Sequence, residues 1–114
     1  MNKRGTAGEC AASEYLTARG YEIFENNYRS RFGEIDIIAS RGGYIVFVEV
    51  KSRKKGSMVS GIESIDRRKM SRIRITAESY LIKHGAGLQP RFDVIILELS
   101  DNKAVVVQHI ENAF

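Results

Sequence analysis

The sequence predicts one mixed α/β domain, a central sheet with helices packed against it. Three observations carry this prediction. Two segments combine helix-terminal signals with an apolar period near 3.6 residues, and five runs are rich in β-branched and aromatic residues. The chain has 114 residues, enough for one core and too few for two, and 43% of them are hydrophobic. The predicted order is α-β-β-β-α-β-β, with residues 1–114 as a single domain.

The first helix is expected over residues 7–19. Thr6 suits an N-cap, Glu9 stands three residues beyond it as in a capping box, and Gly20 stops the helix. Residues 21–25 read as a short strand, and 26–32 as a polar loop containing Tyr28, Arg29, Arg31 and Phe32. Strands are expected over 34–39 and 44–51, on either side of Gly42-Gly43, a strong hairpin signal. Residues 52–61 read as a basic loop with Gly and Ser. The second helix is expected over 64–84, with Met70, Ile73, Ala77, Tyr80 and Leu81 as its apolar stripe and Gly85 as its stop. Strands over 92–99 and 104–110 flank a turn. No internal repeat or linker interrupts the pattern.

A lone cysteine, Cys10, forms no internal disulfide, which suits a reducing compartment. No apolar signal core follows the N-terminus, and no stretch is long enough to span a bilayer. A cytoplasmic protein without a membrane role is the expectation. The net charge is +4, but residues 51–74 alone carry nine basic and two acidic side chains, leaving −3 for the rest. Such a patch is what a polyanion partner requires, nucleic acid above all. A solvated loop and helix face would have the same composition.

The hairpin carries the chemistry. With Gly42 and Gly43 as the turn, paired positions sum to 85, so Ile35, Ile37 and Ala39 meet Val50, Val48 and Val46 on one apolar face. On the other face Asp36 opposes Glu49 and Glu34 opposes Lys51. Opposed like charges destabilise a sheet. Two carboxylates so placed are natural ligands for magnesium or manganese, which takes one or two carboxylates and keeps several waters. Lys51, two residues beyond Glu49, points to the same face, where an ammonium can stabilise charge on a phosphate. An exposed face with a Glu34–Lys51 salt bridge is the plainer reading.

The run Gly33-Glu34-Ile35-Asp36-Ile37-Ile38-Ala39 followed by Val46-Phe47-Val48-Glu49-Val50-Lys51-Ser52-Arg53 resembles the core of the restriction-endonuclease-like PD-(D/E)xK superfamily. The chain as a whole resembles the YraN family of small bacterial proteins. That resemblance rests also on Gly5-x-x-Gly8-Glu9-x-x-Ala12, Asn27-Tyr28-Arg29, Lys69, Arg91-Phe92-Asp93 and Asn112-Ala113-Phe114. It implies an αβββαβ core and a metal-dependent nuclease, similar to archaeal Holliday-junction resolvases, which act as dimers on branched DNA. It assigns Asp36 and Glu49 to the metal, Lys51 to the nucleophile, and Glu9 to completing the metal site, with the Val50 carbonyl as a further ligand. Ile35 stands where the superfamily's nominal proline would be. A non-catalytic nucleic-acid-binding module on the same fold is the alternative.

Candidate phosphate contacts are Arg29, Arg31, Arg53, Lys54, Lys55, Arg67, Arg68, Lys69 and Arg72. Tyr28 and Phe32 could stack on bases or close the core. Glu9 could be cap or ligand. Asp93, alternating with apolar neighbours, reads as structural. His109 has no partner at zinc spacing, and Cys10 is placed on the buried side of the first helix.

Overall fold

The computed structural model describes residues 6–56, 66–85 and 87–114. Its elements are α1 (Thr6–Ala18), β1 (Glu22–Ser30), β2 (Gly33–Arg41), β3 (Tyr44–Lys54), α2 (Arg67–His84), β4 (Gln89–Ser100) and β5 (Lys103–Ile110). The strands form one sheet in the order β1-β2-β3-β4-β5. All neighbours are antiparallel except β3 and β4, which run parallel and are bridged in sequence by α2. This is the restriction-endonuclease-like αβββαβ core, with β5 added at one edge. No helix among the described residues is long and apolar enough to cross a membrane.

The centre of the parallel pair is buried on both faces, and the runs there, Ile45–Val48 and Val94–Leu97, are wholly apolar. On one face Ala12 and Leu16 of α1 pack with Ile37, Ala39, Val46, Val48, Ile95 and Leu97. On the other, Ile73, Ala77 and Tyr80 of α2 pack with Ile35, Ile38, Ile45 and Phe47. The apolar stripe predicted for the second helix is thus the face that docks. Its N-cap is Asp66, whose Oδ1 accepts the Lys69 N–H at 2.8 Å, so the helix starts three residues later than expected. Thr6, expected to cap the first helix, is itself the first residue of α1, and its side chain, Ser64 and residues 57–61 of the basic loop fall outside the described residues.

The predicted hairpin register holds from Arg41–Tyr44 to Ile37–Val48. Gly42 and Gly43 take φ of 59° and 86°, the positive values that a two-residue turn of this twist needs. Three expectations need correction. Residues 26–30 belong to β1 and are not loop. Asn27 takes φ 55°, a conformation asparagine tolerates, and the pairing runs through it unbroken from Asn26–Ile37 to Tyr28–Ile35; the one register shift of β1 lies between Ile23 and Glu25. Tyr28 is half-buried, edge-on to Tyr80, so it closes the core rather than offering a base-stacking face. Cys10 is exposed, because α1 docks through Ala12 and Leu16, and a residue two positions before Ala12 lies on the opposite side of the helix.

The third correction concerns Ile35. It joins the α2-side cluster, whereas Ile37 and Ala39 join the α1-side cluster. The β2–β3 pairing ends at Ile37–Val48, while β3 continues against β4 as far as Lys54–Leu99. The two strands part there, and the predicted Asp36–Glu49 and Glu34–Lys51 positions lie in the fork instead of in a ladder.

Candidate active site

The fork leaves the backbone of β3 short of partners on its β2 side. Asp36 fills the gap: its Oδ2 accepts the Val50 N–H at 2.8 Å, taking the place of a ladder carbonyl. That bond holds the carboxylate at the mouth of a cavity of about 180 Å³, lined by Gly8, Glu9, Glu34, Asp36, Glu49, Val50, Lys51, Ser52 and Lys69. Besides β2, which carries Glu34 and Asp36, three elements contribute. β3 brings Glu49, Lys51 and Ser52, while α2 brings Lys69 in the first turn that Asp66 caps.

Helix α1 brings Glu9, and Gly8 explains how it comes so near. A Cβ on Gly8 would stand 2.9 Å from Leu97 Cδ1, so glycine lets the first turn of α1 lie this close to the sheet without displacing that methyl. The Glu9 Oε1 accepts the Asn27 side-chain N–H at 2.8 Å, which aims that carboxylate. Its capping role cannot be joined to this picture, since the Thr6 side chain is outside the described residues.

The charges in the cavity are unevenly compensated. Burial, then repulsion from Glu49, push the Asp36 carboxyl up to about 7. The Val50 N–H and Lys69 oppose this, while Glu9 adds to it. Glu49 is 4% exposed, and its Oε2 is approached by two ammonium groups, Lys51 at 3.7 Å and Lys69 at 2.5 Å. Burial works against the Lys69 charge, but its hydrogen bond to Glu49 and their attraction outweigh this and hold its pKa above the ordinary value. The residues fit a hard cation in their donor chemistry: Asp36 and Glu49 are two carboxylates on one cavity whose repulsion a metal would relieve. No group of three Asp, Glu, His or Cys side chains that could hold a metal is gathered among the described residues. Asp36 and Glu49 are the carboxylates whose repulsion is felt most directly, and Glu9 and Glu34 line the same cavity.

The candidate phosphate contacts separate. Lys69 reaches Glu49 while its side chain stays partly exposed. Arg53 lies 3.3 Å from Glu98 and is partly buried. Arg29 pairs with Glu34 at 3.4 Å, and Arg31 stands 4.9 Å over the Phe32 ring. Lys54, Lys55, Arg67, Arg68 and Arg72 are exposed. The first two end β3 and the others open α2, so they lie on the elements that flank the cavity.

A second charged centre was not legible as a centre. Asp93 is fully buried and takes four donors: Arg91 Nε at 3.0 Å, Arg91 Nη2 at 2.8 Å, the Asn112 N–H at 3.0 Å and His109 Nε2 at 2.7 Å. Arg91 Nη2 also donates to the Tyr21 hydroxyl at 2.6 Å, and His109 Nδ1 lies 3.1 Å from the Tyr15 hydroxyl. Burial alone would raise the Asp93 carboxyl, but the bonds from His109, Arg91 and Asn112 hold it below its ordinary value. The two-residue spacing of Arg91 and Asp93 on one strand was the available signal. His109 and Tyr15 come to it only through the fold.

A family model described as "Uncharacterised protein family UPF0102" matches residues 8–97. A UPF0102 protein of Persephonella marina is 50% identical over 114 residues, covering 97% of this chain and 92% of that protein. One from Alkaliphilus oremlandii is 43% identical over the full length of both chains. One from Moorella thermoacetica is 44% identical over 98% of this chain and 95% of its own. The matched span contains α1 from Gly8 onward, the forked hairpin and α2, and with them every residue of the cavity. The chain belongs to the UPF0102 family, the YraN family that its motifs resemble.

Proposed function

We propose that this cavity is the site of a metal-dependent nuclease that hydrolyses phosphodiester bonds of nucleic acid. The observation that carries the reading is the Asp36–Glu49 pair, where a carboxyl pushed up to about 7 stands beside a buried glutamate and two lysines. A carboxyl perturbed by burial and a charged neighbour, sitting in a cleft, is a functional-site candidate with a physical rationale. Asp36 and Glu49 would hold magnesium or manganese, with Glu9 and the Val50 carbonyl as further ligands. The bound ion would supply Lewis-acid activation of water and phosphate. Lys51 places an ammonium beside the reacting phosphate and stabilises the charge that develops there. The exposed Lys54, Lys55, Arg67, Arg68 and Arg72 would lie along the phosphate backbone. Branched DNA is the expected substrate and a homodimer the expected assembly, both from the resolvase resemblance.

The test is a cleavage screen over single-stranded, duplex, flap and junction substrates with magnesium or manganese. Asp36→Asn and Lys51→Ala should abolish cutting without unfolding the protein. One observation favours the second reading, a nucleic-acid-binding module without catalysis: Lys69 already sits on Glu49, where a metal would bind. Failure to cut any substrate with manganese, together with salt-sensitive binding, selects that reading. In either case replacing Arg67, Arg68 and Arg72 with Gln should flatten the slope of log K against log salt by as much as ~2–3.

A further inference from the structure

At the other end of α1 from the carboxylates, roughly 15 Å along the helix from Glu9 to Arg19, a second cleft opens. It has a volume of about 360 Å³ and is lined by Tyr15, Arg19, Tyr21, Arg41, His109 and Glu111. We propose that this cleft binds a phosphate group, either of a free nucleotide or of a nucleic-acid strand. The proposal stands on this cleft alone and does not depend on cleavage at Asp36.

Two guanidinium groups face the cleft with their donors open. Arg19 stacks 3.9 Å over Tyr15 and makes one long bond, 3.5 Å, to the Tyr15 carbonyl. Arg41 stacks 5.5 Å from the centre of Tyr21 and, among the described residues, makes no side-chain hydrogen bond or ion pair. The carboxylate in the cleft, Glu111, lies 3.9 Å from Arg91. The tyrosine rings thus hold both guanidiniums in place without consuming their N–H groups. A forked, planar donor already positioned in this way matches a phosphate oxygen pair.

The floor of the cleft adds a donor that can adjust. Asp93 is ionised and has no proton to give, so His109 Nε2 must carry the hydrogen of their 2.7 Å bond. Nδ1 then has two options toward Tyr15 at 3.1 Å. A neutral imidazole accepts the Tyr15 O–H, whereas an imidazolium donates to the Tyr15 oxygen and leaves the phenolic O–H to point into the cleft. An anion there favours the second arrangement, because it gains a charge-assisted bond. Buried Asp93 balances the imidazolium. The cleft exceeds what phosphate alone would fill and lies at the lower end of the range of small-ligand sites, roughly 300–1,000 Å³. The phosphate is therefore carried on something larger.

The experiment follows the His109 ring nitrogens by NMR while the full chain is titrated with inorganic phosphate, adenosine 5′-monophosphate or a single-stranded oligonucleotide. Binding should move Nδ1 toward its imidazolium position. Arg41→Gln should weaken binding about tenfold, as loss of a charge-assisted bond does, and Tyr15→Phe should uncouple binding from the His109 signal. Arg41 is exposed, so its variant should fold, and an unchanged amide spectrum would check this. A response to the mononucleotide identifies a free phosphate monoester as ligand, and a response to the oligonucleotide alone identifies a strand. If none of the three moves the His109 signal, or if Arg41→Gln binds as the wild type does, the proposal fails.

Discussion

Asp36 and Asp93 sit on strands of one sheet, yet their carboxyls are displaced in opposite directions. Asp93 is the more deeply buried and is held below its ordinary value, because four donors converge on it. Asp36 has one backbone donor and two carboxylate neighbours, and is pushed up to about 7. Burial raises both carboxyls, so the surroundings decide the sign. A carboxylate saturated with donors is part of the scaffold. One left short of donors beside others of its kind stores free energy that a cation can release.

The largest effect expected from this contrast is on stability. Asp93→Asn takes away the buried carboxylate that Arg91 and His109 share and leaves Arg91 only the Tyr21 hydroxyl and the exposed Glu111 at 3.9 Å; breaking a buried pair by removing one partner costs about 3–5 kcal/mol. A domain this size holds roughly 5–15 kcal/mol in all, so the variant should be close to unfolding in a urea titration. Asp36→Asn removes an ill-compensated charge and should leave the midpoint unchanged or higher. Equal destabilisation by the two substitutions would erase the distinction.

The second prediction concerns pH. The folded Asp36 carboxyl, at about 7, binds its proton more tightly than the unfolded one, at 3.8. The stability this gives is present at low pH and is lost as pH rises through that interval. Asp93 works the other way: its folded pKa lies below 3.8, so its contribution is present above that value and is lost as pH falls through the folded pKa. Without metal, the melting temperature should therefore decline from about pH 4 to about 7, and Asp36→Asn should flatten the decline. Manganese competes with the same proton, so its affinity should rise as pH rises toward and past about 7. A manganese affinity independent of pH over that range would separate the metal from Asp36.

Much of this contrast was legible in the sequence. The alternation through Ile37, Ala39, Val46 and Val48, with Gly42-Gly43 between, fixes a register that the structure repeats. Asp36, Glu49 and Lys51 on the opposite face follow from it, and the structure brings all three to one cavity. The fork that opens the cavity was not legible. It arises where β3 leaves β2 and stays with β4, whose partner residues lie more than forty positions on in the chain. For the same reason Lys69 read as surface: only the docking of α2 turns it inward. Asn26-Asn27 looked like a loop because asparagine favours turns, yet one left-handed residue is enough to carry β1 through. Nothing local joins Tyr15, Asp93 and His109.

A third prediction tests how the cavity is built. Gly8→Ala gains helix propensity of about 1 kcal/mol but places a methyl 2.9 Å from Leu97 Cδ1, in a core without slack. Overpacking of this kind costs about 1–3 kcal/mol, so the net loss should be small, about 1 kcal/mol in urea. The informative change is elsewhere. If the first turn of α1 is pushed from the sheet, Glu9 moves with it, and manganese binding should weaken more than the stability loss accounts for. Unaltered binding would mean that the position of Glu9 does not matter to the metal.

The smallest effect expected is also the sharpest on that point. In Glu9→Gln the side-chain oxygen can still accept the Asn27 N–H. The new amide can also donate to Asn27 Oδ1, a buried atom without a protein partner among the described residues. A net hydrogen bond adds about 0.5–1.5 kcal/mol, so the variant should be as stable as the wild type or slightly more so. It also removes a charge that raises the Asp36 carboxyl, so that carboxyl should titrate lower. These two consequences favour binding a cation at Asp36, since less proton competition remains. A loss of manganese affinity by calorimetry would therefore run against both and could come only from a missing carboxylate, because a hard cation prefers charged oxygen to a neutral amide. If affinity is instead unchanged or improved, Glu9 is only a neighbour that raises the Asp36 pKa, and the ligands reduce to Asp36, Glu49 and the Val50 carbonyl.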